Sequence, residues 1–164
     1  VKNLTFKTEL LPIAGVLVSA VPMAIGLIFV LVLLASSGVW FSWHVGLLPI
    51  IVGLHLLLLM GAGMWLATIT VFYRDVAQII PSAMTAILFF SPIFYSIDSM
   101  PVVVRAITCF NPVFIIGDAY RCCIIRSSVP GIGGLILVGV LAVALFLSGL
   151  QAFRRCKGYF VGAI

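Results

Sequence analysis

The sequence predicts an all-α integral membrane protein with four transmembrane helices and a re-entrant helical hairpin before the last of them. Hydrophobic residues make up 64% of its 164 residues and charged residues only 8%, whereas soluble domains have about 45–50% and about 25%. A soluble fold of this size leaves much of its chain facing water, so lipid has to solvate most of this surface. Long runs without charge indicate the same fold, because about 20 apolar residues of helix cross a bilayer core.

Four uncharged stretches are long enough to cross the membrane as helices, the only open-chain structure that satisfies its own backbone hydrogen bonds in lipid. They cover residues 10–36, 45–72, 76–95 and 131–153, each to within a few residues. Pro22 lies inside the first stretch and predicts a kink there. The first two stretches also contain small residues at which neighbouring helices can approach closely: Gly15, Gly26, Gly61 and Gly63.

The stretch over residues 100–126 is too polar to cross the membrane in one piece and too apolar to lie free in water. Its two apolar runs, residues 102–110 and 113–125, are separated by Asn111 and Pro112. Apolar runs of about 10–14 residues are typical of re-entrant or interfacial helices. We therefore predict a hairpin that dips back into the membrane, with Asn111 and Pro112 near its turn.

Basic residues predict the orientation. With four spans, both termini lie on the same side as the turn at Arg74, and the basic residues of that side outnumber those of the other by six to three. Cytoplasmic loops carry the excess of Lys and Arg, so we expect the termini and this turn in the cytoplasm. The two sets are Lys2, Lys7, Arg74, Arg154, Arg155 and Lys157 against Arg105, Arg121 and Arg126.

The net charge of +5 does not indicate a nucleic-acid partner, because the basic residues sit at the ends of apolar runs rather than in one patch. Nothing in the sequence predicts an enzyme. It has no phosphate-loop, H-E-x-x-H or G-x-S-x-G motif, and its four carboxylates lie far apart. The four cysteines lack C-x-x-C spacing, which favours small apolar packing residues over a redox or metal site.

Two histidines are candidates for proton or metal chemistry. His55 lies in the middle of the second span, and an ionisable residue there is by default a functional hypothesis. A neutral imidazole hydrogen-bonded to a neighbouring helix is the interpretation we favour, because no span contains an acidic partner. His44 follows Trp40 and Trp43, an arrangement typical of the membrane interface.

Tyr73, Arg74 and Asp75 stand between two long apolar runs. No Lys, Arg, Asp or Glu occurs between Leu10 and Tyr73. Any short cytoplasmic turn can carry such an Arg under the positive-inside rule. The alternative is a docking contact that passes a partner's movement into a rigid helix, and spacing alone does not separate the two.

Aromatic residues cluster near the end of the third span. Phe89, Phe90, Phe94 and Tyr95 cover one broad side of that helix, and the predicted hairpin adds others. An interfacial aromatic belt accounts for most of them. The other interpretation is an aromatic-lined passage or gate along which the C–H faces of sugars slide. The residues added by the hairpin are Phe110, Phe114 and Tyr120.

Several motifs together resemble a known family. ELLP precedes the first span, FYRDVAQIIP follows the second, LFFSPIFYS ends the third, FNPV and AYR follow, and the last span closes in FRR. This order resembles the membrane subunit of ABC-type polysaccharide exporters over essentially the whole chain. Its specific parts are Tyr73 to Val76, Ser91 to Tyr95, Asn111-Pro112 and Tyr120-Arg121.

The resemblance implies a permease of the bacterial inner membrane with six spans, a leading amphipathic helix and two short outer re-entrant helices. This chain opens where the family approaches its third span, so we expect it to be N-terminally truncated. The family works as a homodimer with two ATP-binding subunits and exports lipid-linked O-antigen, capsular polysaccharide or teichoic acid. ATP and Mg²⁺ then belong to the partner subunit, and this chain needs no cofactor of its own.

The resemblance also implies roles for individual residues. Tyr73, Arg74 and Asp75 would face the ATP-binding subunit, and Phe89, Phe90, Phe94 and Tyr95 would lie beside the channel mouth. The re-entrant hairpin would contain Asn111, Pro112, Tyr120 and Arg121.

Three alternatives stay open. A related ABC permease exports drugs or lipids instead of glycans. A membrane enzyme of polyprenyl-linked sugar metabolism would show acidic or histidine clusters at a membrane face, and the loops of this chain lack them. A scaffold subunit would only anchor a partner.

Overall fold

The described part of the chain is entirely helical in the computed structural model. It covers residues 10–38, 42–90, 108 and 110–160, with only the backbone described at residues 88–90 and 157–160. Five α-helices and one 3₁₀ helix follow one another in this part. Their bounds are α1 Leu10–Ser36, the 3₁₀ helix Trp43–Leu47, α2 Leu48–Phe72, α3 Val76–Phe90, α4 Pro112–Ile124 and α5 Ile132–Phe160.

Three of these segments are long and apolar enough to cross a membrane: Leu10–Ser36, Trp43–Phe72 and Ile132–Cys156. They coincide with the first, second and fourth predicted spans. The helix α3 has 15 residues, which at 1.5 Å per residue is about 22 Å, less than the bilayer core of about 30 Å. Residues 91–95 of the third predicted span lie outside the described part, so a fourth crossing stays a prediction.

Helices α2 and α5 form the main contact of the bundle and run parallel. A Cβ added to Gly139 would lie 3.5 Å from Leu54, and one added to Gly61 would lie 2.9 Å from Leu145. Residue numbers therefore rise together along both helices. If both cross the membrane, the chain between them has to return across it an odd number of times. A third span followed by a hairpin without net crossing meets this requirement.

The contact between α2 and α5 is close because glycines face each other across it. A Cβ on Gly61 would lie 2.7 Å from the backbone nitrogen of Phe146, and one on Gly149 would lie 3.1 Å from Cβ of Met64. Met64 and Val138 are fully buried beside them. Close approach of backbones is how helices associate in lipid, where apolar side chains gain little by leaving an apolar solvent.

Helix α1 lies antiparallel to α2 and packs much less closely. Its Val16 would contact a Cβ on Gly63 at 3.5 Å. A Cβ at Gly15 or Gly26 meets nothing within 4 Å among the described residues, so close helix approach at these two glycines stays a prediction. No described helix covers those sides of α1. The helix is continuous through Pro22.

Asn111 and Pro112 determine where helix α4 begins. The Asn111 side chain accepts a hydrogen bond from the N–H of Val113 at 3.0 Å, and Pro112 occupies the first turn, where a missing N–H costs nothing. The helix matches the second half of the predicted hairpin. Most of the first half, residues 101–107 and 109, lies outside the described part, so the hairpin itself stays a prediction.

One end of the bundle holds α4, and the other holds the turn between α2 and α3. We call them the α4 end and the turn end. A Cβ on Gly134, near the start of α5, would lie 3.0 Å from Ile115 of α4. The 3₁₀ helix, just before α2, also packs against α4. Helices α2 and α5 therefore both begin at the α4 end.

Helix α5 extends beyond its predicted end. The apolar run closes at Phe153, but the helix continues to Phe160 through Arg154 and Arg155. Arginine is a good helix former, so the end of an apolar run is not the end of a helix.

Candidate functional site

The turn end presents Tyr73, Arg74 and Asp75 together. The Tyr73 N–H donates to the Ile69 carbonyl at 2.9 Å and ends α2, and the Asp75 carbonyl accepts from Gln78 at 3.0 Å and begins α3. All three side chains are exposed, Tyr73 by 69%. The carboxylate of Asp75 also stands at the N-terminus of α3, where the helix dipole favours it.

This turn is joined directly to the best-packed helix of the bundle. Because α2 is held along its length by α5, a force on the turn acts on a braced helix rather than on a loose loop. This geometry suits a contact surface for another protein. A short cytoplasmic turn that carries an Arg only for membrane orientation would have the same geometry, so the structure does not separate the two interpretations. The docking role of Tyr73, Arg74 and Asp75 stays a prediction.

The predicted aromatic passage lies mostly outside the described part. Phe89 and Phe90 belong to the last turn of α3, of which only the backbone is described, and Phe94 and Tyr95 follow it. The aromatic residues near α4 do not form one surface. Phe110 is 75% exposed, whereas Phe114 is buried in the core.

Two further predicted residues lie in the second half of α4. The Tyr120 hydroxyl lies 3.5 Å from Nδ1 of His55, and the two rings meet edge to face with centroids 6.1 Å apart. This contact supplies His55 with a polar neighbour on another helix and supports its structural interpretation. Arg121 lies in the last turn of α4, where a positive charge complements the helix dipole.

His55 and Tyr120 form part of the wall of an apolar cleft of about 240 Å³. Helix α1 supplies the opposite wall. Apart from the two rings, the lining is alkyl side chains and one glycine: Met23, Gly26, Leu27, Val30 and Ile124. Among the described residues, the only polar side-chain groups in its lining are therefore the His55 ring and the Tyr120 hydroxyl.

Sequence reasoning missed a polar cluster on α4. Arg126 Nη1 pairs with Asp118 Oδ1 at 3.2 Å, and Cys122 Sγ lies 3.7 Å from Asp118 Oδ2 and 3.9 Å from Arg126 Nη1. The three residues are spaced four apart, which places the first two on one face of the helix. That spacing was the available signal. Asp118 also lines a small pocket of about 140 Å³ between α4 and the start of α5.

The remaining candidate ligands do not assemble into a metal site. No group of three His, Cys, Asp or Glu residues that could hold a metal ion occurs among the described residues. Cys122, Cys123 and Cys156 are free thiols. His44 is buried, with Nδ1 2.7 Å from Ser42 Oγ and its ring stacked on Trp43.

Comparison with known proteins gives two findings. Residues 6–125 match the family described as ABC-2 type transporter, a range that includes α1 to α4. The O-antigen export system permease protein RfbA of Myxococcus xanthus is 24% identical over 161 residues. The match covers 97% of this chain and 62% of that relative, so the chain spans a little under two thirds of the relative's length.

Proposed function

The chain belongs to the ABC-2 type transporter family, and on that premise we propose that it is the permease subunit of an ATP-driven polysaccharide exporter. The substrate is a lipid-linked glycan of the O-antigen, capsule or teichoic acid type, moved across a bacterial inner membrane. One observation carries the choice of substrate: the similarity to an O-antigen export permease extends over 97% of the chain.

The proposal divides the work between two kinds of subunit. A separate ATP-binding subunit holds ATP and Mg²⁺, and this chain supplies the path through the membrane. Tyr73, Arg74 and Asp75 form the contact with that subunit. Their exposure at the end of a braced helix supports this assignment, because such a helix transmits displacement instead of absorbing it.

The proposed topology places the turn end in the cytoplasm and the α4 end outside. The excess of basic residues at the termini and the turn supports this orientation. The parallel arrangement of α2 and α5 supports an odd number of crossings between them. Both ends of the given sequence then lie in the cytoplasm.

Two copies of the chain enclose the glycan passage in this proposal, with Phe89, Phe90, Phe94 and Tyr95 beside its mouth. The homodimeric arrangement that the resemblance implies is the ground for a passage between copies.

Substitution at the turn tests the coupling role. We expect the double variant Arg74→Ala/Asp75→Ala to bind its ATP-binding subunit roughly tenfold more weakly, as expected when central contacts of an interface are truncated. Co-purification of the two subunits and the ATP hydrolysis that accompanies export are the measurements. Gln78→Ala is the matched control, an exposed change one turn further along α3. Unchanged association and export in the double variant would mean that these residues form a turn without a docking role.

The substrate is tested in the cell. Deleting the gene should leave the glycan on the inner side of the membrane, still lipid-linked, and the neighbouring genes should encode a phosphate-loop ATPase and glycosyltransferases. A drug-sensitive deletion strain with normal surface glycan would instead indicate a permease for drugs or lipids.

A further inference from the structure

A second small pocket lies at the α4 end of the bundle, away from the cleft beside His55. Helix α4 and the start of α5 enclose it, and its volume is about 140 Å³. Its lining is apolar except for one carboxylate and exposed backbone. The lining includes Phe114, Ile115, Asp118, Gly131, Gly134 and Leu135.

The carboxylate of Asp118 has a neighbour at each of its two oxygens. Its Oδ1 accepts from Arg126 Nη1 at 3.2 Å, and its Oδ2 lies 3.7 Å from the Cys122 thiol. Arg126 is 58% exposed and Asp118 is 29% exposed. The pair therefore offers an acceptor at the pocket wall and a cationic donor next to it, both within reach of water.

The charges restrict what the pocket can bind. An anion would meet the negative carboxylate inside the pocket. A cation would find that carboxylate already neutralised by Arg126, and no metal-ligand cluster occurs among the described residues. A neutral ligand with hydroxyl groups fits both partners, because each hydroxyl can donate to the carboxylate and accept from the guanidinium.

The volume restricts the size of the ligand. A pocket of about 140 Å³ is smaller than the roughly 300 Å³ at the lower end for whole drug-sized ligands. It has room for about one six-membered ring, part of which stays outside. The apolar side chains of Ile115 and Leu135 provide a wall for the C–H face of such a ring.

We propose that this pocket binds one neutral sugar unit of the exported glycan, with the Asp118 carboxylate accepting hydrogen bonds from its hydroxyls and Arg126 donating to them. The substrate class rests on the proposed export function. The pocket lies at the α4 end, which is the outer end in the proposed topology. The pocket would therefore contact the glycan at the point where the glycan leaves the membrane.

Two substitutions test the pocket's volume and its hydrogen-bond acceptor separately. Gly131→Val is designed to narrow the pocket: Gly131 lines it, and a Cβ there meets nothing within 4 Å, so the side chain is added without displacing a helix. Asp118→Ala removes the acceptor. Gly133→Val is the matched control, because a Cβ at Gly133 also meets nothing within 4 Å and the residue is not part of the lining.

Saturation-transfer NMR measures binding directly, on the protein from its native membrane in lipid nanodiscs. The probes are free galactose, glucose and mannose, with inorganic phosphate as the anionic probe. We expect transfer to at least one hexose in the wild type and in Gly133→Val. The affinity should fall roughly tenfold or more in Asp118→Ala, as loss of a charged hydrogen-bond partner predicts, and in Gly131→Val.

The outcomes separate this inference from the export function. Equal hexose binding by Asp118→Ala and Gly133→Val, no hexose binding by the wild type, or binding of phosphate in preference to hexoses would overturn the sugar pocket. Glycan export by the same cells decides the export function independently. If the protein binds hexoses but deletion of its gene leaves the surface glycan unchanged, the export function is refuted and hexose binding by the pocket still stands.

Discussion

Helix α1 and the pair α2–α5 are similarly apolar, yet they pack in opposite ways. The most apolar window of α1 has a mean hydropathy of 2.8, above the 2.3 and 2.5 of the segments that contain α2 and α5. Nevertheless α1 has no buried residue, whereas α2 has buried residues from Leu48 to Thr68. Hydropathy therefore predicts which helices cross the membrane. Small residues that face each other decide which helices associate, because lipid solvates apolar side chains as well as protein does.

The strongest way to break this contrast is to enlarge Gly61. In Gly61→Leu the new Cβ would lie 2.7 Å from the backbone nitrogen of Phe146, and backbone cannot move aside as a side chain can. We expect a loss of about 3 kcal/mol or more in the free energy of unfolding, at the upper end for overpacking. Thermal unfolding in detergent, followed by size-exclusion chromatography, measures it.

Gly53→Leu is the control on the same helix. A Cβ at Gly53 meets nothing within 4 Å, so the same substitution adds apolar surface towards lipid without a clash. Similar stability of the Gly61 and Gly53 variants would contradict the close α2–α5 contact.

A matched pair of valines tests the contrast with smaller changes. Val138 on α5 is fully buried, and Val18 on α1 is 71% exposed. We expect Val138→Ala to cost about 1–2 kcal/mol, since it leaves a cavity that its neighbours only partly fill. Val18→Ala should change stability by less than about 0.5 kcal/mol, as exposed substitutions usually do. Equal losses in the same unfolding assay would mean that a partner covers α1 as tightly as α5 covers α2.

The smallest effect concerns the hydrogen bond between α2 and α5. Trp65 Nε1 donates to Ser148 Oγ at 3.0 Å. Trp65→Phe and Ser148→Ala each remove it, and a double-mutant cycle should give a coupling energy of about 0.6 kcal/mol, the average for such bonds between membrane helices. A coupling energy of zero would assign the association of these helices to glycine packing alone.

The positions of α1, α2 and α5 were predictable because length and hydropathy determine them. The start of α4 was predictable too, since the Asn111 cap and Pro112 act within one turn. Which helix packs against α2 was not predictable. A glycine inside an apolar helix allows close approach, but the sequence does not show which glycines are used. A Cβ at Gly134 or Gly149 would contact another helix, whereas one at Gly15 or Gly26 meets nothing within 4 Å among the described residues. Which small residues face each other depends on helix rotation and crossing, and these are properties of the whole bundle.

The same distinction applies to the candidate sites. Tyr73, Arg74 and Asp75 stand out because charge is absent for a long way before them, and the turn they form is local. The pair Asp118–Arg126 was harder to predict because Arg126 lies beyond the end of α4. The chain leaves that helix through Ser127 at a φ of 50°, an uncommon conformation for serine. The spacing of four residues from Asp118 to Cys122 to Arg126 is a reliable signal only where the helix continues, and here it ends at Ile124.

The separation of Trp65 and Ser148 along the chain, 83 residues, has a consequence for biogenesis. At about 5–20 residues per second, a ribosome needs roughly 4 to 17 s to synthesise that length. During this interval the nascent α2 sits in the bilayer with the surface around Gly61, which later contacts α5, facing lipid. Membrane chaperones and quality-control proteases therefore have seconds to act before α5 arrives, and variants that alter this surface should be degraded at this stage.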